Sequence, residues 1–140
     1  MALKWNFQRT LPKVSCKIHT DAIRNRLVPP RVTRQQAGTT YATEADLLNV
    51  ALFGFTAAQW RKANPEQAGN MRDAATLEQL VVLSNLESIN AVLIHQRLNS
   101  STRLTQLNEI AITQMRSLMG GNAIKRLGIP ATSQTKGSKP

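Results

Sequence analysis

Cys16 and the two histidines are the side chains of this sequence with the clearest potential for nucleophilic or metal chemistry. Cys16 and His19 lie three positions apart, and His95 is the only other histidine. A structural zinc site needs about four such ligands, so these three residues do not supply one. Activation of the thiol by His19 is one interpretation of the pair. We favour the other, a packed or solvated cysteine, because a single Cys–His pair is a weak signal.

The remaining motifs do not predict an enzyme. The sequence holds no glycine-rich phosphate-binding loop, no Gly-x-Ser-x-Gly elbow and no His-Glu-x-x-His zinc motif. Its eight acidic residues are scattered, and Glu44, Asp46 and Glu78 fall in predicted first turns, where the helix dipole favours negative charge. No pair of carboxylates is placed for general acid–base catalysis. We therefore predict a non-enzymatic protein that needs neither a cofactor nor a metal.

The positive charge is the most informative property of the composition. The net charge is +10, of which residues 1–34 contribute +7 and residues 121–140 contribute +4, whereas residues 35–120 carry −1. Such asymmetry suggests contact with a polyanion, most simply nucleic acid. The alternative is that the basic flanks only keep the protein soluble, since charge runs are usually solvated faces.

The candidate phosphate contacts are the basic side chains near the two ends of the chain. Such contacts would be independent of base sequence and would weaken steeply with salt. The predicted nucleic-acid-binding residues are Lys13, Lys17, Arg24, Arg26, Arg31, Arg34, Lys125 and Arg126. Trp60, which precedes Arg61 and Lys62, offers either a base-stacking contact or a core anchor. We predict the core anchor, because tryptophan is usually mostly buried.

The elements that would position these residues are helices. Aromatic residues make up only 4% of the chain, so the core must consist of Leu, Ile, Val and Ala, which favours helices over sheets. Residues 76–98 contain no Gly or Pro and are apolar on more than one face, which is typical of a helix buried on several sides. Thr76 and Gln79 fit a capping box at its start. We predict an all-α bundle of about five helices around this long central helix.

Shorter helices are predicted on both sides of the central one. The first ends before Pro29 and begins either at Thr20 or near Pro12. The second begins at Thr43 and ends at Gly54. A third begins at the capping residue Thr56, and the last covers residues 102–119 with Arg103 on its polar face.

The composition divides the chain into three parts. Residues 1–13 are predicted to form an N-terminal arm and residues 14–120 a helical domain. Within that domain, residues 28–42 are predicted as a linker, because they contain paired prolines, two arginines and Gly38. Residues 121–140 are rich in Gly, Ser, Thr, Lys and Pro, and we expect a disordered basic tail there.

The sequence indicates a protein of a reducing compartment. Cys16 is the single cysteine, which excludes an internal disulfide. The N-terminus contains Lys4 but no apolar segment typical of a signal peptide. The longest uninterrupted apolar runs, such as residues 50–53 and 91–94, are far shorter than a membrane span. We predict a cytoplasmic protein without a membrane partner.

Three blocks of the sequence together resemble a known family. The first comprises residues 9–14, 18–23 and 29–30, the second residues 41–54 and 56–61, and the third residues 70–73 and 83–91. In this order they resemble the C-terminal region of bacterial KilA-N domain-containing proteins, which also occur on phages and mobile elements. The resemblance covers about residues 5–119.

The resemblance implies a small helical domain and little about its chemistry. In the family, the KilA-N module that is implicated in DNA binding precedes this region, and the present sequence starts just before the shared block. DNA binding through that module is therefore not implied for this sequence, and neither are catalytic residues. What is implied is a helical module that is attached to a DNA-binding partner in the longer proteins.

Composition, charge and resemblance together favour one functional hypothesis and leave one alternative. The favoured hypothesis is a non-enzymatic helical accessory or interaction module that associates with DNA or RNA through non-specific phosphate contacts of its basic flanks. The alternative is a protein–protein interaction module, either a dimeriser or a modulator of a host protein encoded by a phage or mobile element. This alternative predicts an exposed apolar patch around the central helix.

Overall fold

The computed structural model describes residues 11–120, with side chains from residue 14 onwards. Within this part of the chain there are five helices and no strands, which confirms the predicted all-α fold. The helices are α1 (Leu11–Arg26), α2 (Arg34–Phe53), α3 (Ala57–Ala63), α4 (Leu77–His95) and α5 (Ser100–Leu118).

Helix α4 is the central element, as predicted. The predicted capping box is present at its start, where the Thr76 hydroxyl accepts from the backbone N–H of Gln79 and the Gln79 side chain accepts from the backbone N–H of Thr76. The helix packs against α1, α2 and α5. Its buried apolar residues therefore point in several directions, and they are Leu80, Val82, Leu83, Leu86, Ala91, Leu93 and Ile94.

Helix α4 is also the one helix of the described residues that is long and apolar enough to cross a membrane, judged by length and composition alone. Uninterrupted apolar runs in the sequence do not identify this helix as a possible membrane span, because polar residues occur at intervals along it. Since 61% of the segment is buried inside the bundle, its apolar character is accounted for by packing against the other helices.

Contacting residue pairs show the relative direction of the helices. His19 contacts Asn90, and further along both helices Arg26 contacts His95, so α1 and α4 run in the same direction. Helices α2 and α5 also run together, because two contacts advance along both of them. These contacts are Glu44 with Arg103 and the backbone carbonyl of Ala51 with Asn108.

Helices α4 and α5 run in opposite directions, because Asn90 contacts Arg103 whereas the earlier Asn85 contacts the later Gln114. Helices α1 and α4 therefore run in one direction, and helices α2 and α5 run in the opposite direction. As a result, the α1–α2 connection and the α4–α5 connection lie at the same end of the bundle.

Two apolar clusters form the core. The larger lies between α2, α4 and α5 and includes Leu48, Leu86 and Leu107, which are all fully buried. The smaller lies between α1 and α4 and consists of Ala22, Ile23, Ala91 and Ile94, with Leu27, Val28 and Tyr41 packed against it. The α1–α2 connection is thereby attached to the bundle by apolar contacts.

The predicted linker over residues 28–42 is wrong for most of its length, because α2 begins at Arg34 and not at Thr43. Thr33 is the N-cap, and it forms a complete capping box with Gln36. Gly38 was interpreted as a loop residue but lies inside the helix. A glycine there costs only about 1 kcal/mol relative to alanine, which the cap and the buried half of the helix offset.

Helix α1 begins at Leu11, which agrees with the predicted start near Pro12 and not with the one at Thr20. Residues 11–13 therefore belong to a helix and not to the predicted N-terminal arm. The rest of that arm, residues 1–10, and the predicted tail, residues 121–140, lie outside the described residues.

Candidate functional site

Four buried polar side chains, one from each long helix, form a hydrogen-bonded network in the middle of the bundle. Arg103 donates through Nη1 and Nη2 to the two carboxylate oxygens of Glu44, at 2.5 and 3.0 Å, and through Nη1 to Asn90 Oδ1 at 3.0 Å. Asn90 Nδ2 in turn donates to Glu44 Oε1 at 3.1 Å and lies 2.8 Å from His19 Nε2. None of the four residues is more than 6% exposed.

The network fixes the protonation state of His19. A guanidinium can only donate, so Asn90 turns its oxygen to Arg103 and its amide nitrogen to His19. His19 Nε2 must then accept, which places the ring proton on Nδ1 and leaves the imidazole neutral. The pKa of His19 is lowered to about 4, chiefly by burial; Glu44 opposes this shift, whereas Arg103 and Arg72 contribute to it.

This network corrects two sequence-based placements. Glu44 was placed in a first turn and Arg103 on a polar face, yet both are buried in the bundle. Their burial is possible because each charge meets its opposite, and because Arg103 Nε also donates to the carbonyl of Leu98. The guanidinium of Arg103, the carboxylate of Glu44 and the amide of Asn90 are occupied by one another and by His19 Nε2, so the arrangement joins the four long helices.

The structure separates the two residues that were considered as a nucleophilic pair. Cys16 is exposed, and its Sγ lies 3.7 Å from the hydroxyl of Thr20. His19 points to the interior of the bundle, where it contacts Asn90. The favoured interpretation of Cys16 as an ordinary surface cysteine is consistent with these contacts. Within the described residues, no group of three metal-ligating side chains is placed to hold a metal ion.

Glu87 is a second buried acid, and it lines a pocket of about 300 Å³ between α4 and residues 70–73. Burial raises its pKa to about 7, and Arg72, whose Nη1 lies 3.7 Å from Oε2, opposes that shift. Polar and apolar side chains share the lining, which includes Asn70, Asp73 and Ser84. The polar groups that line the pocket are largely engaged with each other, Asn70 with Asp73 and Arg72 with Glu87.

Glu78 is fully buried in the first turn of α4, and neither of its carboxylate oxygens has a hydrogen-bond partner among the described residues. Its position agrees with the prediction of an acid in a helix first turn. Glu78 lies at the positive end of the α4 dipole, and this interaction favours an acidic side chain there in place of hydrogen bonds.

The exposed arginines concentrate at one end of the bundle. Residues 22–43 and 88–108 together form this end; they contain no acidic residue, although the preceding residue, Asp21, pairs with Arg24. Their exposed cations are Arg24 and Arg26 in the last turn of α1, Arg31 and Arg34 around the α1–α2 connection, and Arg97 after α4. We call the surface of these five arginines the basic end. Six of the eight acids lie on the other side of the buried network, namely Asp46, Glu66, Asp73, Glu78, Glu87 and Glu109.

The five arginines differ in their partners. Arg24 pairs with Asp21 at 2.7 Å, and Arg26 Nε donates to His95 Nδ1 at 3.1 Å. Arg31, Arg34 and Arg97 have no acidic partner within residues 11–120. The structure thus gathers four of the predicted binding residues on one surface. Their backbones are held by the C-terminal turn of α1 and by the N-terminal cap of α2.

The other predicted binding residues are placed differently. Lys17 lies near the middle of α1 and pairs with Asp21 at 3.2 Å. This pair and the one with Arg24 lower the pKa of Asp21, chiefly through the hydrogen bond from Lys17. Both pairs are solvent-exposed and therefore contribute little to stability. The side chain of Lys13 and all of Lys125 and Arg126 lie outside the described part of the chain.

Arg97 is the member of the basic end that was not predicted from the sequence. It is the one non-glycine residue with a positive φ, 63°, among residues 11–120. Its N–H donates to the carbonyl of Ile94, and the next N–H, that of Leu98, donates to Leu93, as in a Schellman motif. Glycine usually occupies this position, because another residue there costs about 1 kcal/mol.

The predicted core anchor, Trp60, is confirmed only in part. Its side chain is partly buried, but it belongs to neither core cluster, and α3 has no fully buried residue. The guanidinium of Arg61 lies 5.0 Å from the centre of the indole ring. Arg61 in turn donates to the carbonyls of Asn64, Gln67 and Gly69, which holds it over the ring.

Comparison of the chain with protein-family models, with curated proteins and with solved structures found no match. The resemblance to the C-terminal region of KilA-N domain-containing proteins therefore stays a prediction.

Proposed function

We propose that this protein is a non-enzymatic helical module that associates with nucleic acid, and that its basic end contacts the phosphates. The observation that carries the proposal is the segregation of charge along the bundle. Arginines from two distant parts of the chain lie at one end of the bundle, where the one nearby surface acid among the described residues, Asp21, is paired with Lys17 and Arg24. A surface of one sign attracts a polyanion from a distance and holds it by many weak contacts.

The partners of the arginines support this role for three of them in particular. Arg31, Arg34 and Arg97 are exposed and carry charge that no acid among the described residues compensates. Arg24 shares Asp21 with Lys17, so that cluster of three keeps a net charge of +1. The contact between Arg26 and His95 leaves the guanidinium charge in place, because the Nδ1 atom that accepts this hydrogen bond carries no negative charge.

The test of this proposal is the salt dependence of binding by the full chain to a labelled DNA duplex. Five phosphate contacts predict that log K falls with log salt with a slope of about −4.5. The affinity should then fall about 500-fold between 50 and 200 mM salt. A slope shallower than about −1, or no binding at low salt, would contradict the proposal.

The proposed setting of this module is beside a DNA-binding domain, as in the KilA-N proteins that the sequence resembles. A module that adds non-specific phosphate contacts would increase the effective affinity of such a neighbour through a shared ligand. A pull-down with and without nuclease would test this setting. Loss of all retained material after nuclease treatment is the expected result.

A protein–protein interaction is the second candidate function, and one surface feature favours it. An open, mainly apolar groove of about 380 Å³ lies between α2 and α5. Ala111 lies in it and Ile112, which is 44% exposed, lies at its rim. Apolar grooves of this kind accept partner side chains. Retention of a single protein after nuclease treatment, or a dimer in light scattering, would favour this function over the first.

A further inference from the structure

We propose that the basic end recognises double-helical nucleic acid in preference to single strands. This inference rests on the proposed function and specifies its ligand. Proteins that hold single strands combine a cationic groove with aromatic side chains on which the bases stack. Duplex binders that do not read sequence need only cations matched to the phosphate backbone. The two classes therefore differ in whether exposed aromatic rings accompany the positive charge.

The basic end has cations without an aromatic platform. Residues 22–43 and 88–108 contain no Phe or Trp and one Tyr, Tyr41. Its ring is half-buried and packs against the cluster of α1 and α4 that includes Ile23 and Ile94. The exposed ring in these two segments is the imidazole of His95, and it is hydrogen-bonded to Arg26.

The remaining aromatic side chains of the described residues lie at the opposite end of the bundle, around the end of α2. Phe53 and Phe55 stack on each other with ring centroids 6.3 Å apart. The ring of Trp60 faces Arg61, whose guanidinium donates to three backbone carbonyls. These rings already have partners within the protein, and the cations beside them are fewer than at the basic end.

The fold holds the backbones that carry several arginines of the basic end. The backbone of Arg97 is fixed by the Schellman motif, and Arg34 lies in the capped first turn of α2 after Thr33. Arg26 is hydrogen-bonded to His95. Cations on a fixed backbone suit the regular phosphates of a duplex, which carries one charge per about 1.7 Å of axis. A single strand must lose conformational freedom to match the same set.

The experiment compares binding of the full chain to a DNA duplex, an RNA duplex and each separated strand of the same sequence, by fluorescence anisotropy at low salt. We expect at least one duplex to bind about tenfold more tightly than its strands, with a salt slope of about −0.9 per contact against −0.7 for single strands. Equal or tighter binding of single strands would overturn the inference and leave the proposed function intact. Absence of binding to every nucleic acid would instead overturn the proposed function.

Two double variants of equal net charge locate the contacts. Arg31→Gln with Arg97→Gln should make the duplex salt slope shallower by about 1.8. Lys62→Gln with Arg116→Gln, which removes two exposed cations from outside the basic end, should leave that slope unchanged. Trp60→Leu tests for a stacking site on α3. If this variant binds single strands tenfold more weakly while Arg31→Gln with Arg97→Gln binds them as well as the unmodified protein does, the inference is overturned.

Discussion

Glu44 and Arg103 are the two residues on which the mutual positions of the long helices depend most directly. Each carries a full charge in a place that is less than 5% exposed, and each is the main partner of the other. Removing one partner leaves the other charge buried and uncompensated, which is far more costly than the pair itself is stabilising. Asn90 extends the same arrangement to α1 through His19.

The first prediction concerns this pair. Arg103→Met should reduce the free energy of unfolding by about 3–5 kcal/mol, because Glu44 stays buried without its cation. Glu44→Leu should be similarly destabilising. The double variant should cost about 1–3 kcal/mol, which is the remaining cost of the hydrogen bonds that Asn90 and the Leu98 carbonyl lose. Urea denaturation measures all three values, and strict additivity of the two single effects would contradict a direct pairing.

Glu87 and His19 give the stability of the protein a pH dependence of opposite sign. The raised pKa of Glu87 means that the folded state binds its proton more tightly than the unfolded state does. The stabilisation is therefore complete below about pH 4.5 and lost as the pH rises through about 7. The lowered pKa of His19 has the reverse effect, and its stabilisation is lost as the pH falls from 6.5 through about 4.

Neutral substitutions separate the two contributions, and this is the second prediction. The stability of Glu87→Gln relative to the unmodified protein should rise by about 2–3 kcal/mol between pH 5 and pH 8. The stability of His19→Gln relative to the unmodified protein should rise instead on acidification from pH 6.5 to pH 4. Chemical denaturation across this pH range measures both differences. A constant difference for Glu87→Gln would show that this carboxyl is ionised in the folded protein.

At the level of elements, local signals predicted some helix ends well. Thr56 with Gln59 and Thr76 with Gln79 were recognised as caps, and both form complete capping boxes. Gly54 ends α2 with φ 88°, as expected for a glycine C-cap. These signals act within four residues and do not depend on the rest of the fold. The amino-acid sequence alone is therefore enough to recognise them.

The start of α2 was missed because tertiary packing outweighed the local signals there. Residues 29–30 and Gly38 indicate a loop, but buried contacts from Glu44 onwards keep residues 34–53 helical as one segment. The pairing of Glu44 with Arg103 spans 59 positions of sequence, and no local pattern predicts such a pair. The interpretation of Glu44 as a capping residue followed directly from the wrong helix start.

Gly38 provides the third prediction, which tests the helical assignment of residues 34–42. Nothing lies within 4 Å of a Cβ atom added at Gly38, so alanine fits there without displacement. Gly38→Ala should raise the free energy of unfolding by about 0.5–1 kcal/mol and the melting temperature by a few degrees. Gly54→Ala is the matched control and should destabilise, because its φ of 88° disfavours any side chain. Destabilisation by Gly38→Ala would contradict a helix at this position.

On the scale of the whole molecule, the distribution of charge was only partly predictable. The sequence located the basic residues near the two ends of the chain and an almost neutral segment between them. The structure shows that Arg97, from that segment, lies at the same end of the bundle as Arg26, Arg31 and Arg34. Arg97 lies at the basic end because α4 runs parallel to α1 and ends beside it. This position depends on the fold, so the place of Arg97 in the sequence does not indicate it.

The basic end and the buried network are connected by the architecture. Arg103 provides one more positive charge in the segment 88–108, but Glu44 neutralises it in the interior. The exposed cations of these segments lie at the surface beyond the network, and three of them, Arg31, Arg34 and Arg97, have no acidic partner among the described residues. The fold therefore uses Arg103 to join helices and exposes the other arginines of these segments on a single end, which is the arrangement expected of a phosphate-binding surface.

The most direct test of this account is a titration of the uniformly ¹⁵N-labelled full chain with a short DNA duplex at low salt, followed by amide chemical shifts. We expect the largest shift changes in residues 24–34 and 95–99, and we expect these changes to disappear at high salt. Changes concentrated in residues 56–63, in the groove between α2 and α5, or in residues 121–140 would contradict it.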